Sequence, residues 1–142
     1  MSKALELARM AYDMDEVPVG AVVTVNDEIV GEGFNRTITD CDPTAHAEIV
    51  ALRNAASQLG NHRMPAAKMF VTIEPRAMCA GAIVQARLAV LAYGAADPKS
   101  GAVDSLMNVL GHKNLNHRCQ VIGTVLEDEC RELIQSYFRG KR

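Results

Sequence analysis

No stretch of the chain is apolar over the ~20 residues that a bilayer core requires. The most apolar segment, Ala77 to Ala96, is interrupted by Gln85 and Arg87, so no membrane span is expected. A continuous apolar leader is missing as well: Lys3, Glu6, Arg9 and Asp13 are spread through the first turns, and the expectation is a cytoplasmic protein with no secretory signal. Internal repeats, low-complexity tracts and linkers are absent, and 142 residues suit one domain around one core. Net charge is small, −2 at neutral pH, which excludes the broad basic field of a non-specific nucleic-acid binder but leaves local segments such as Arg139-Gly140-Lys141-Arg142 free to meet phosphates. Cysteine is scarce. Cys41, Cys79, Cys119 and Cys130 read as packing residues or metal ligands, since a disulfide framework does not suit a reducing compartment.

What is present is a globular composition, 49% apolar and 23% charged, with strands and helices in alternation. Lys3 to Asp13 carries Ala4, Leu7, Ala8 and Ala11 at helical spacing. Val19 to Val25 and Glu28 to Gly33 read as strands joined at the turn-forming pair Asn26-Asp27. After a loop from Asn35 to Pro43, Thr44 is placed to cap a helix reaching Leu59, and Lys68 to Ile73 reads as a buried strand. Pro75 suits the first position of a helix running to about Arg87. A strand from Leu88 to Gly94, a short helix near Ser105 to Leu110, a strand from Cys119 to Val125 and a final amphipathic helix complete the chain. In that helix Leu126, Cys130, Leu133, Ile134 and Tyr137 share one stripe, which makes Cys130, like Cys119 in its strand, a core residue. The alternation predicts a three-layer α/β/α domain with a five-stranded mixed sheet, an antiparallel hairpin first and crossover-connected strands after it.

Two segments carry chemistry. Pro43-Thr44-Ala45-His46-Ala47-Glu48 sets an imidazole and a carboxylate two residues apart, and Glu74-Pro75-Arg76-Ala77-Met78-Cys79 follows about thirty residues on. Each opens a predicted helix, whose free N–H groups and positive end favour a thiolate or a hydroxide. Apart from Arg76 at the first cysteine position, the pattern matches the H-x-E and P-C-x-x-C signature of zinc nucleobase deaminases, in which a His and two Cys hold the metal and the Glu moves protons without binding it.

Glu16-Val17-Pro18-Val19-Gly20, Gly31-Glu32-Gly33-Phe34-Asn35-Arg36, Ser105-Leu106-Met107 and Asn116-His117-Arg118 extend the likeness over nearly the whole chain, which resembles the bacterial tRNA adenosine deaminases. The resemblance implies a cytidine deaminase-like fold, one zinc per chain, a homodimer, and hydrolytic deamination of adenosine to inosine at the wobble position of a tRNA anticodon. It implies His46 and Cys79 as zinc ligands and Glu48 as the general acid and base. Asn35 and Ala47 would hold the nucleoside, Val17, Pro18 and Ile73 would line the base pocket, and Asp97, Asn116, His117, Arg118 and Phe138 would follow the anticodon stem-loop.

Arg76 departs from the family, because it stands where the first cysteine of the pair belongs. A guanidinium stays protonated and has no lone pair to give a metal. Weak or absent zinc is expected, with Arg76 turned toward Glu48 or the Cys79 sulfur and Cys41 as the first candidate for a replacement ligand. Two other readings stay open: an RNA-binding relative that has lost catalysis, and a free-nucleobase deaminase.

Overall fold

Helix α1 (Ser2–Asp13) buries Ala4, Leu5, Leu7, Ala8 and Ala11, the stripe its helical period brings into line. The chain next forms β1 (Gly20–Val25) and β2 (Glu28–Phe34), an antiparallel pair. Asn26 and Asp27 between them both take the left-handed backbone, φ 52° and 65°, that a tight hairpin turn requires. There follow α2 (Ala47–Leu59), β3 (Ala67–Ile73), α3 (Ala77–Ala86), β4 (Val90–Ala95), β5 (Gln120–Ile122) and α4 (Glu127–Arg139). This is a computed structural model, and it describes residues 1–141. Arg142, the last member of the predicted basic cluster, lies outside the described residues.

The sheet runs β2-β1-β3-β4-β5. β1 is antiparallel to both neighbours, and β3, β4 and β5 are parallel, which gives the expected mixed α/β sheet. Helices α1 and α4 pack on one face, α2 and α3 on the other. Val23, Met69, Val71, Ile83, Leu88 and Leu91 fill the core between the sheet and α2/α3. Close approach sets the docking of α2: a Cβ on Gly33 would stand 2.5 Å from the Ala47 carbonyl oxygen, and one on Gly31 2.4 Å from that of Ala51. Only glycine lets the helix start lie against the end of β2, and that contact brings Asn35 to residue 47. No helix among the described residues is long and apolar enough to cross a membrane.

Four local expectations are corrected. Thr44 does not cap α2; its N–H and hydroxyl both donate to Asp42 Oδ1, at 2.8 and 2.7 Å, and the helix begins at Ala47. Pro75 precedes α3 without entering it, since Arg76 remains extended at ψ 177°. Residues 105 to 110 form turns and bends, not a helix, after a segment in which the Glu74 carboxylate accepts the N–H groups of Val103, Asp104 and Ser105 at 3.1, 2.8 and 2.9 Å. The last strand stops at Ile122, ahead of Thr124 and Leu126, which both adopt the left-handed backbone, φ 61° and 51°.

Candidate active site

The carboxyl ends of β3 and β4 point to the same end of the sheet as the N-termini of α2 and α3, the arrangement in which open α/β sheets place their ligands. His46 occupies the N-cap position of α2 with an extended backbone, φ −72° and ψ 154°. Asn35 Oδ1 accepts the Ala47 N–H at 2.9 Å, one of the donors a helix start leaves free. Glu48, in the first turn, is buried. Cys79, in the first turn of α3, is fully buried, and its Sγ stands 3.6 Å from His46 Nδ1. One donor atom each from His46, Glu48 and Cys79 lies within 4.8 Å of the others, so the three could hold a metal ion.

Burial dominates the acid–base character of all three. It raises the Glu48 carboxyl above the usual range, and opposing contributions from its own backbone N–H, the Cys79 thiol and Arg76 are smaller. Burial and then the Glu48 charge push the Cys79 thiol strongly up. The His46 imidazolium is disfavoured by burial and then by the Arg76 guanidinium, which holds the ring neutral with a lone pair to offer.

Arg76 lines the same cavity, but its guanidinium pairs outside this group, contrary to the expectation from sequence. Its Nε donates to Asp97 Oδ2 at 3.3 Å, and its side chain is 60% exposed while that of Asp97 is 12% exposed. Asp97 supplies the guanidinium with a hydrogen-bond acceptor at the rim, whereas burial disfavours the charged forms of Glu48 and Cys79. Cys41 does not supply a replacement ligand, since it is exposed with its thiol directed at the Ile38 carbonyl.

A cavity of about 560 Å³ opens onto His46 and Glu48. Val17, Ile73, Asn35, Asp97 and Phe138 line it. The Asn35 side-chain NH2 makes no hydrogen bond among the described residues. Pro18 and Ala47 are fully buried and do not line the cavity. Asn116, His117 and Arg118 are not brought to it. His117 Nε2 lies 2.6 Å from the Leu88 carbonyl oxygen, just before β4, and the cavity is on the order of 20 Å further along that strand. Arg118 donates to the carbonyls of His112 and Lys113 within its own loop.

Sequence reasoning missed Arg131 and Gln135, which reach the cavity from α4. It also missed two buried carboxylates that hold the rim. Glu16 accepts from the Ile38 N–H and from the Thr39 N–H and hydroxyl, ordering the loop that carries Thr37 into the cavity. Glu74 accepts from the N–H of Asp97 at 3.1 Å and from the Ser105 hydroxyl in addition to the three N–H groups named above. The one available signal was an acidic residue ending an apolar strand, Glu74 after Ile73.

Over its full length the chain is 44% identical to the tRNA-specific adenosine deaminase of Haemophilus influenzae, covering 83% of that protein. The chain belongs to the tRNA adenosine deaminases. The enzyme of that name from Bacillus subtilis is 39% identical, again over the full chain and 88% of its own length. Residues 1–142 also match the MafB19-like deaminase family. A solved tRNA:A34 deaminase, described as editing A to I at the wobble position of transfer RNA, superposes with a TM-score of 0.90 at 43% identity, over 94% of this chain and 96% of that one. The guanine deaminase of Nitrosomonas europaea superposes with a TM-score of 0.83 at 26% identity, over 96% and 81%.

A catalytic zinc normally takes three protein ligands and leaves a fourth position for water. In this deaminase the cysteine position is filled by a guanidinium engaged with Asp97. The His and two-Cys zinc centre of the signature therefore does not fit the residues present.

Proposed function

We propose that this chain acts on tRNA in the cytoplasm, taking an adenosine splayed out of an anticodon loop and directing it toward hydrolytic deamination to inosine at the wobble position. The carrying observation is the convergence of His46, Glu48 and Cys79 at two helix starts beneath a cavity large enough for a nucleoside. Val17 and Ile73 supply apolar walls for the base, and the Asn35 NH2 group donates to the nucleoside. Phe138, 46% exposed at the rim, offers a face on which a neighbouring base can stack. Glu48 is the group placed to move a proton from water to the departing ammonia, and its raised carboxyl suits an acid that must donate near neutral pH.

Binding separates this reading from a free-base deaminase. An anticodon stem-loop with adenosine at the wobble position should bind in preference to free guanine or cytosine. Phe138→Ala should weaken that complex about 10-fold, in line with the ~1–3 kcal/mol of a stacked base. Equal affinity for the free bases, or no effect at Phe138, would sink the assignment. The outward Arg76 favours a second reading, in which the RNA surface is kept and turnover is lost.

Glu48→Ala should abolish any inosine formation, a loss of ~10²-fold or more, with RNA affinity within a few-fold of the parent. The measurement is made on the Arg76→Cys form, where turnover is expected, and undiminished turnover would remove Glu48 from the chemistry. A homodimer belongs to the same proposal. A second copy is how Asn116, His117 and Arg118, remote from their own cavity, would reach a bound anticodon stem-loop. Light scattering should give twice the 15.4 kDa chain mass, and a monomer at micromolar concentration would contradict it.

A further inference from the structure

Two donors already stand at metal-site spacing. A nitrogen and a sulfur bound to one tetrahedral zinc, at ~2.05 and ~2.3 Å, lie roughly 3.5 Å apart. His46 Nδ1 and Cys79 Sγ are separated by 3.6 Å. The third donor has to come from elsewhere, because Arg76 is held outward by Asp97 and the Cys41 thiol faces Ile38. Among the described residues, the group of possible ligands contains one more member, Glu48. Its carboxylate lies within 4.8 Å of both other donor atoms, so it must close by no more than about 1.4 Å to reach a tetrahedral edge of ~3.4 Å, a movement available to its own torsions.

We infer that His46, Cys79 and Glu48 together form a divalent-metal site in this chain, with Glu48 as a ligand in place of its role as proton carrier. Charge supports the substitution. A zinc ion with an imidazole and two thiolates is neutral, and a zinc ion with an imidazole, one thiolate and one carboxylate is neutral as well. The carboxylate thus restores the balance that Arg76 removed, and Asp97 neutralises the guanidinium itself. A mixed N, S and O donor set suits zinc and cobalt(II) better than magnesium or calcium, which favour oxygen alone.

The consequence is an opposition between metal and chemistry. A carboxylate bound to the ion cannot also shuttle protons, so loading the chain with metal occupies its own general acid. This consequence rests on the deaminase reading; the metal site does not, and the test contains no RNA.

Cobalt(II) titrated into the metal-free full-length chain should bind as one ion per chain, with a sulfur-to-cobalt charge-transfer band of one thiolate and release on addition of zinc. Glu48→Gln, which keeps the side chain's shape and loses its anionic donor, should lower the association constant at least about 10-fold. With Arg76→Cys in place, the same Glu48→Gln change should alter the constant by less than about 3-fold, because the introduced thiolate completes the site and leaves Glu48 free. No cobalt bound, cobalt bound without a thiolate band, or Glu48→Gln binding like the parent would each overturn the site, and so would equal sensitivity to Glu48→Gln in both backgrounds. Thermal melts of the metal-free proteins show whether the variants fold. Should Glu48→Gln not fold, X-ray absorption of the zinc-loaded parent decides: one sulfur among light donors supports the site, and two sulfurs refute it.

Discussion

With cysteine at position 76, the protein is expected to form inosine on an anticodon stem-loop at least about 10³-fold faster than the parent, measured as a single-turnover rate with zinc supplied to both. The change acts on the metal through two effects. It replaces a group that has no lone pair with a thiolate at the start of α3, where the helix N-terminus favours the anion. It also removes a positive charge. Two unit charges at ~4 Å and an effective dielectric of 20 interact by about 4 kcal/mol, and a divalent ion facing a guanidinium feels roughly twice that unless the side chain stays outward, as it does here against Asp97. Zinc held by three protein ligands would act as a Lewis acid and lower the pKa of water toward neutrality, and each ~1.4 kcal/mol of barrier is a factor of ten. The change also releases Glu48 to carry protons, so a gain of this size needs no contribution from RNA binding. The affinity of the two forms for the stem-loop should agree within a few-fold. A parent that matches the Arg76→Cys rate would show that the guanidinium does not govern this site.

The residues at the centre of the cavity were legible because they are local in sequence. His46-Ala47-Glu48 and Cys79 each sit within a few residues of a helix start, and the two segments converge because α2 follows β2 and α3 follows β3, two strands that run the same way since both are antiparallel to β1. The hairpin was legible for a similar reason, since Asn26 and Asp27 tolerate the positive φ that the turn imposes. The direction of Arg76 was not: it is decided by Asp97, 21 residues away, whose position depends on a loop that Glu74 organises. Nor was the cap of α2. Thr44 is the obvious residue by propensity, yet Asp42 captures it and Asn35 serves the helix from the end of β2. Amphipathicity located the apolar stripe of α4 but not what would face it, so Arg131 and Gln135 could not be assigned to the cavity before α4 was seen beside β4.

Glu74 carries the largest structural effect. Glu74→Gln should destabilise the fold by about 3 kcal/mol or more at neutral pH, since a buried carboxylate accepting several N–H groups would be replaced by an amide whose NH2 faces donors instead of acceptors. For a chain of this size that is a fall of roughly 10 °C in Tm. The pH dependence identifies the cause. Burial alone would raise the Glu74 carboxyl, but the Ser105 hydroxyl and the N–H groups of Asp104, Ser105 and Asp97 outweigh it and hold the group below its ordinary value of 4.5. A depressed folded pKa means that the stabilisation is fully present above the unfolded value and is lost as pH falls through the folded one. The gap between parent and Glu74→Gln should therefore be constant from pH 7 down to about 4.5 and close below it, as the parent takes up the proton that the amide mimics. The same substitution frees the N–H of Asp97, so the Arg76 partner should loosen together with the loop. A gap that stays open at acid pH would mean that the ionised hydrogen bonds are not what makes Glu74 necessary.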